Sequence, residues 1–399
     1  MGRFRTARFR CSGFALLCLA GIAFAGCSAE DPREPDLILI TADRLDPTEL
    51  GCYGGPDDSG RSLCRLARDG TLFGWAFASG GGPTASAASV LTGLPASIHR
   101  VDESGVRFLS DAQTTLAEQL QRAGYATAAF VESSTLNRSR RLDQGFDHYD
   151  DRVGPDTDLV PRIQGWMQSA RTPRFVWIAL GSQTGLSEID RLVSRLESLV
   201  EGGKTSTGVL VAGLRAAAPD QRGIGVSTHR VPIIWRAPAA GRVSAPKPVS
   251  YSAVSLTDVA PTLLAAASIP PAATATGLPD PTRGLPLDAL ASADPERFLL
   301  LEDSARDGLV GLVSGPTVYV RKRSPFEQIG QAIPTEVLTG YAPRFLSLPE
   351  RDRDPELLAS AVLPRLEWRS DVLSADSPVP RLEFHLARLL GGDASSPGE

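Results

Sequence analysis

Short, unbroken apolar runs recur along the chain, and between them stand longer segments whose apolar residues fall three and four positions apart. The first run, LILIT at 37–41, has no polar alternation and is bounded by turn residues, the pattern of a strand buried on both faces. TTLAEQLQRAG (114–124) has helical spacing and closes on a C-cap glycine, and YATAAFV (125–131) then predicts a second buried strand. The alternation continues through RFVWIAL (174–180, strand), LSEIDRLVSRLESLVEGG (186–203, helix), TGVLVAG (207–213, strand), RVPIIWRAP (230–238, strand) and SLTDVAPTLLAAASI (255–269, helix). Alternating strands and helices predict an α/β domain over 36–288, with a mainly parallel sheet covered by helices on both faces and functional groups at the carboxyl ends of its strands. SGGGPTASAASVLTGLP (79–95) is a glycine-rich loop running into a helix.

Past Pro286 the texture changes. RFLLLED (297–303) and GLVGLVSGPTVYVRKR (308–323) predict antiparallel strands, and DPELLASAVLPRLEW (354–368) a helix interrupted by proline. Together they suggest a small α+β appendage over 289–380. RLEFHLARLLGG (381–392) predicts a last short helix, and 381–399 ends in the polar tail DASSPGE.

The first residues have a different character. MGRFRTARFR carries four arginines, and no charge follows from Cys11 to Ala29. A basic start and an apolar stretch too short for a comfortable span predict an export signal over 1–26, followed by a linker over 27–35. It closes on FAGC (24–27), which resembles the bacterial lipobox, with Phe24 where leucine is usual. That resemblance implies lipidation of Cys27 and a membrane partner reached through an N-terminal lipid anchor at the cell envelope. Ser28 follows where an aspartate would signal inner-membrane retention, so the outer membrane or cell surface is expected. The alternative is a plain signal cut near Ala25.

Composition narrows the rest. Of 399 residues 42% are hydrophobic and 22% charged, which excludes disorder and a multi-span membrane protein. A net charge of -5 with no basic run excludes nucleic acid as an electrostatic partner. Of five cysteines, Cys11 and Cys18 lie in the signal; Cys52 and Cys64 are left as a disulfide or as two free thiols, which spacing alone does not decide. No Cys/His cluster has zinc spacing.

PDLILITADRLDPTELGCYGG (35–55), SLCRLARDGTLFGWAFAS (62–79), ASVLTGLPASIHRV (88–101), TLAEQLQRAGYATAAFV (115–131), LDQGFDHYDD (142–151), RVPIIWRAP (230–238) and SLTDVAPTLLAAASIP (255–270) follow in the order found in sulfatases. Over about 35–288, and more faintly to FLSLPERDRDPEL (345–357), the chain resembles a sulfatase of the alkaline phosphatase superfamily. The resemblance implies metal-assisted ester hydrolysis, with a cation held by carboxylates and a His or Asn at strand ends and a nucleophile heading a Cys-or-Ser, x, Pro, x, Arg motif. Matched residue by residue, Asp43 stands at the first metal ligand, but Thr48 takes the place of a second aspartate. Pro83 falls at the nucleophile, Ala85 at the motif's proline and Ala87 at its arginine, while Gly213 and Leu214 replace a later Asp and His. GSQTGLSEID (181–190) lacks the family's histidine-bearing substrate loop. His99 matches a substrate-contacting histidine, with a hydrogen-bonded structural histidine on a loop as the alternative, and His229 precedes RVPIIW, where it is a candidate to face the site.

A cation needs more than Asp43, because calcium takes about six to eight oxygens and magnesium about six. The expectation is therefore a cofactor-free pseudoenzyme, a binding or scaffolding module for a glycan, sulfated or protein partner. The alternative is a divergent ester hydrolase with Thr84 as nucleophile and calcium, magnesium or manganese held by Asp43 with Asp46, Glu49 or His229. Arg44, Arg215 and Arg236 are candidates for an anion-binding rim.

Overall fold

The structure is a computed structural model that describes residues 34–152, 154, 158–201, 206–215, 226–239, 249–250, 252–270, 284–290, 297–303, 309–314, 317–322, 338–341 and 367–369. In chain order the first elements are β1 (Asp36–Ala42), α1 (Arg61–Arg68), β2 (Thr71–Phe73), β3 (Ala76–Phe77), α2 (Pro83–Thr92), α3 (Ala96–His99), α4 (Leu116–Arg122), β4 (Ala126–Val131) and β5 (His148–Asp150). Then come α5 (Leu159–Ser169), β6 (Arg174–Leu180), α6 (Leu186–Glu201), β7 (Thr207–Gly213), α7 (Val226–His229), β8 (Ile233–Arg236), β9 (Val249–Ser250), β10 (Val254–Ser255), α8 (Val259–Ala266) and α9 (Leu287–Leu290).

An eight-stranded sheet has the order β5-β4-β6-β1-β7-β8-β2-β9. β5, β4, β6, β1 and β7 pair in parallel, whereas β8 runs against both of its neighbours, β7 and β2. The buried runs explain the central strands: Leu37 and Leu39 enter one core while Ile38 and Ile40 enter the other, so no position of β1 faces solvent. On the first face lie α2, α4 and α8, through Ala87, Leu91, Leu116, Leu120, Leu263 and Leu264. On the second lie α1, α5 and α6, through Leu63, Leu66, Ile163, Met167, Val193 and Leu196. This is the α/β architecture expected from the pattern of runs.

Local signals set the ends. Thr115 and Glu118 form a reciprocal capping box at α4, which trims the predicted helix to Leu116–Arg122. The stretch RVPIIWRAP gives only four strand residues, and its antiparallel direction is invisible in a buried apolar run. Cys52 and Cys64 are joined in a disulfide, which ties the segment after β1 to α1.

A second sheet carries β11 (Phe298–Asp303), β12 (Leu309–Ser314), β13 (Thr317–Lys322), β14 (Leu338–Tyr341) and β15 (Glu367–Arg369), each antiparallel to the next. Glu302 in β11 fastens it to the loops around α2: its N–H donates to the Ser79 carbonyl (3.1 Å), and its carboxylate accepts from the Ser97 N–H (2.7 Å). The helix expected over 354–368 lies outside the described residues except for Glu367 and Trp368, which stand in β15. The signal, linker, terminal helix and tail lie outside them as well.

Candidate functional site

The carboxyl ends of β1, β4, β6, β7 and β2 meet at one edge of the sheet, where β8 begins because it runs the other way. Asp43, Ser133, Arg215 and Arg230 stand at this edge, one or two residues from their strands except Arg230, which enters β8 from the preceding turn. The 10-residue helix α2 points its N-terminus here behind the glycine-rich loop. Pro83 occupies its first position, where a missing N–H costs nothing.

Thr84 is fully buried, and its polar groups are all directed at one side chain. Its N–H donates to Glu103 Oε1 (2.9 Å) and its hydroxyl to Glu103 Oε2 (2.7 Å), while the Ala85 N–H donates to Oε1 (3.0 Å). The free N–H groups and dipole of a helix N-terminus favour an anion, and here the chain supplies that anion itself. Glu103 was missed in the sequence because nothing local marks it: it follows Asp102 in a polar loop 19 residues from Thr84. Gly82 makes the approach possible, since a Cβ there would stand 2.5 Å from Glu103 Cγ.

Asp43 is 4% exposed. Its Oδ2 accepts from the Ser133 hydroxyl at 2.8 Å, and its Oδ1 is buried with no partner. Burial pushes its pKa up to about 6; Ser133 opposes the rise, Glu103 adds to it, Arg215 opposes it and Glu132 adds to it. Among the described residues three guanidiniums also have buried nitrogens without partners, Arg215 at Nε, Arg230 at Nη2 and Arg140 at Nη1. Arg230 holds the Gly74 carbonyl through Nε (3.1 Å), and burial lowers its pKa.

The remaining candidates lie deeper in the fold. His99 is 2% exposed, its Nδ1 accepts from the Val101 N–H (3.0 Å), and its Nε2 lies 3.0 Å from Ser89 Oγ beneath α2. An accepting Nδ1 puts the proton on Nε2, and burial lowers the pKa to about 3, so the ring is a neutral donor rather than a base for Ser89. His229 is likewise 2% exposed, with Nδ1 2.9 Å from Thr228 Oγ1 and its carbonyl accepting from the Ala78 N–H (2.7 Å). It does not line an open cleft.

Asp46 caps the turn at Thr48, whose N–H (2.8 Å) and hydroxyl (2.7 Å) both donate to Oδ1; Glu49 pairs with Arg44 at 2.5 Å. Neither is directed toward Asp43 as a further ligand, and Arg44 is not a free anion-binding group. Arg236 sits at the opposite edge of the sheet, where it pairs with Glu197 (3.2 Å) beside a cavity of about 530 Å³. Where the fold family would hold a divalent ion, Gly213 and Leu214 contribute no side-chain donor. Among the described residues no three His, Cys, Asp or Glu side chains are grouped to hold one, so this donor set does not fit a divalent ion.

A family model described as Sulfatase matches residues 35–214. Over 137 residues the chain is 29% identical to an N-acetylglucosamine-6-O-sulfatase of Bacteroides thetaiotaomicron, a match covering 34% of this chain and 24% of that protein. The chain thus spans about a quarter of the length of that curated relative. The sulfatase-like fold extends further. A solved structure in complex with its substrate D-glucosamine-2-N,6-O-disulfate is similar with a TM-score of 0.61 and 13% identity, covering 76% of this chain and 91% of that one. A protein in the alkaline phosphatase superfamily from Vibrio parahaemolyticus is similar with a TM-score of 0.57 and 16% identity, covering 82% and 86%. The region matched by the sulfatase model has an aspartate, Asp43, at the end of its first strand and a proline, Pro83, where the resemblance puts the nucleophile.

Proposed function

We propose that this chain is a sulfatase-like binding module of the bacterial cell envelope, held at the outer membrane or cell surface by lipid on Cys27, that recognises its ligand without hydrolysing it. The observation that carries the reading is the commitment of Thr84. Pro83 has no nucleophilic group, and the neighbouring hydroxyl is buried and donates to Glu103 rather than facing a substrate. A threonine needs a base or a metal to become a nucleophile. The Glu103 carboxylate that accepts this hydroxyl also caps the first N–H groups of α2, so the pair is engaged within the chain.

The module works without a divalent cation, for want of a donor set around Asp43. Its ligand class is a sulfated glycan, with sulfated amino sugars the first to test. That choice follows the relative's name, an N-acetylglucosamine-6-O-sulfatase, and the disulfated glucosamine bound in a structure of like fold.

Calorimetry with calcium, magnesium and manganese on the purified protein tests this reading, alongside a screen of sulfate and phosphate esters. Expected are no saturable metal binding up to millimolar concentration and no turnover. Micromolar metal binding abolished by Asp43→Ala, with ester hydrolysis abolished by Thr84→Ala, would replace it with the hydrolase reading.

A further inference from the structure

Glu103 is held as a ligand is held. Both carboxylate oxygens are engaged, by two consecutive backbone N–H groups and a hydroxyl at the start of a 10-residue helix. The cradle is shaped for it: Gly82 leaves the space that the Glu103 side chain fills. Beside it lies a buried carboxyl, Asp43, with one oxygen unpartnered and within electrostatic reach of Glu103.

The segment that delivers Glu103 is built unlike the cradle. From Ser104 to Phe108 every residue is exposed, Val106 to 77% and Phe108 to 51%, and Gly105 turns the chain at φ +82°. Its ties are mostly local: Asp102 accepts from the Ser104 N–H (3.0 Å) and hydroxyl and approaches Arg107 at 3.5 Å, the Val106 N–H donates to Ser104 Oγ (3.2 Å), Phe108 lies under the Arg141 guanidinium, and the Leu109 N–H donates to the Arg140 carbonyl (3.0 Å). A buried receptor thus meets a carboxylate carried on an exposed strap.

We propose that Glu103 is a built-in competitor, an internal oxyanion that occupies the N-terminal cradle of α2 and must be displaced, with its loop, before any external oxyanion can bind there. The proposal rests on the binding-module reading for its natural ligand, whereas the cradle itself is tested with inorganic ions. Binding that must first displace a plug is weakened by the fraction of time the plug is out. A plug closed nine parts in ten weakens binding about tenfold.

Two substitutions weaken the plug by different routes. Glu103→Ala removes the carboxylate. Glu103→Gln keeps its shape and an acceptor for the two N–H groups but removes the charge, so the plug is held less tightly. Thermal unfolding and calorimetry of wild type and both variants, titrated with sulfate and phosphate against chloride at matched ionic strength, give the test. The expected result is a saturable, oxyanion-dependent rise in Tm in both variants, with binding about tenfold or more tighter than in wild type. Adding Thr84→Val to Glu103→Ala should abolish the gain. If one variant fails to fold, the other carries the test. Folded variants that respond to sulfate and phosphate no more than wild type would overturn the proposal and leave Glu103 a helix cap. Such an outcome would not touch the metal and ester experiments, which probe wild type with different reagents.

Discussion

At the scale of single residues, the chemistry around α2 is set by what burial does to ionisable groups. His99 has a pKa lowered to about 3, against 6.5 when exposed, so the unfolded chain takes up a proton over a window in which the native ring stays neutral. The sign follows: stability from neutral His99 is fully present above pH 6.5 and is lost as pH falls toward 3, by up to about 5 kcal/mol. Urea unfolding across this window should show that loss. His99→Asn keeps an acceptor for the Val101 N–H but does not titrate, so the variant should be less stable at pH 7 with a flatter acid limb. An acid limb as steep as that of wild type would mean that other groups control it. The imidazole, in line with a family motif, invited a ligand-contact reading. Whether such a ring contacts a ligand or supports a helix depends on burial, which the sequence PASIHRV does not encode.

Among the elements, the join between α8 and the second sheet depends on one acid. Asp258 is fully buried and accepts from Ser255 N (2.7 Å), Leu285 N (2.8 Å), and both Arg297 Nη1 (2.8 Å) and Nη2 (2.5 Å). Asp258→Ala would strand a buried guanidinium and two N–H groups, and is expected to cost about 3–5 kcal/mol in urea unfolding. A loss under about 1 kcal/mol would show that water replaces the carboxylate at little cost. The same elements separate what was legible from what was not. Strands β1, β6 and β7 were readable because burial on both faces leaves an unbroken apolar run, and α4 because its apolar residues keep helical spacing and Gly124 closes it, although its start at the Thr115–Glu118 capping box was not read. The direction of β8 was not, since an apolar run is the same for either sense of pairing. At the site, the departures from the family pattern were readable as Pro83, Gly213 and Leu214, while the placement of Glu103 against Thr84 was not. The contact joins positions 84 and 103 only after the loop between them has closed.

For the whole molecule, residues 35–214 match the sulfatase family model and the fold likeness extends past them, while the strand-end edge of this chain carries the Thr84–Glu103 and Asp43–Ser133 contacts. A fold hosts function without specifying it. Where the molecule works is a separate proposal resting on Cys27. Cys27→Ser should move the protein from the membrane fraction to the soluble fraction, and wild type should take up labelled fatty acid; a soluble wild type without label would sink the anchoring reading. The Cys52–Cys64 link bears on every one of these experiments. Material produced in a reducing cytosol would lack the covalent tie between the Asp43 segment and α1, so the choice of expression host becomes a variable. Only protein matured under oxidising conditions, with thiols counted before use, makes a negative binding result meaningful.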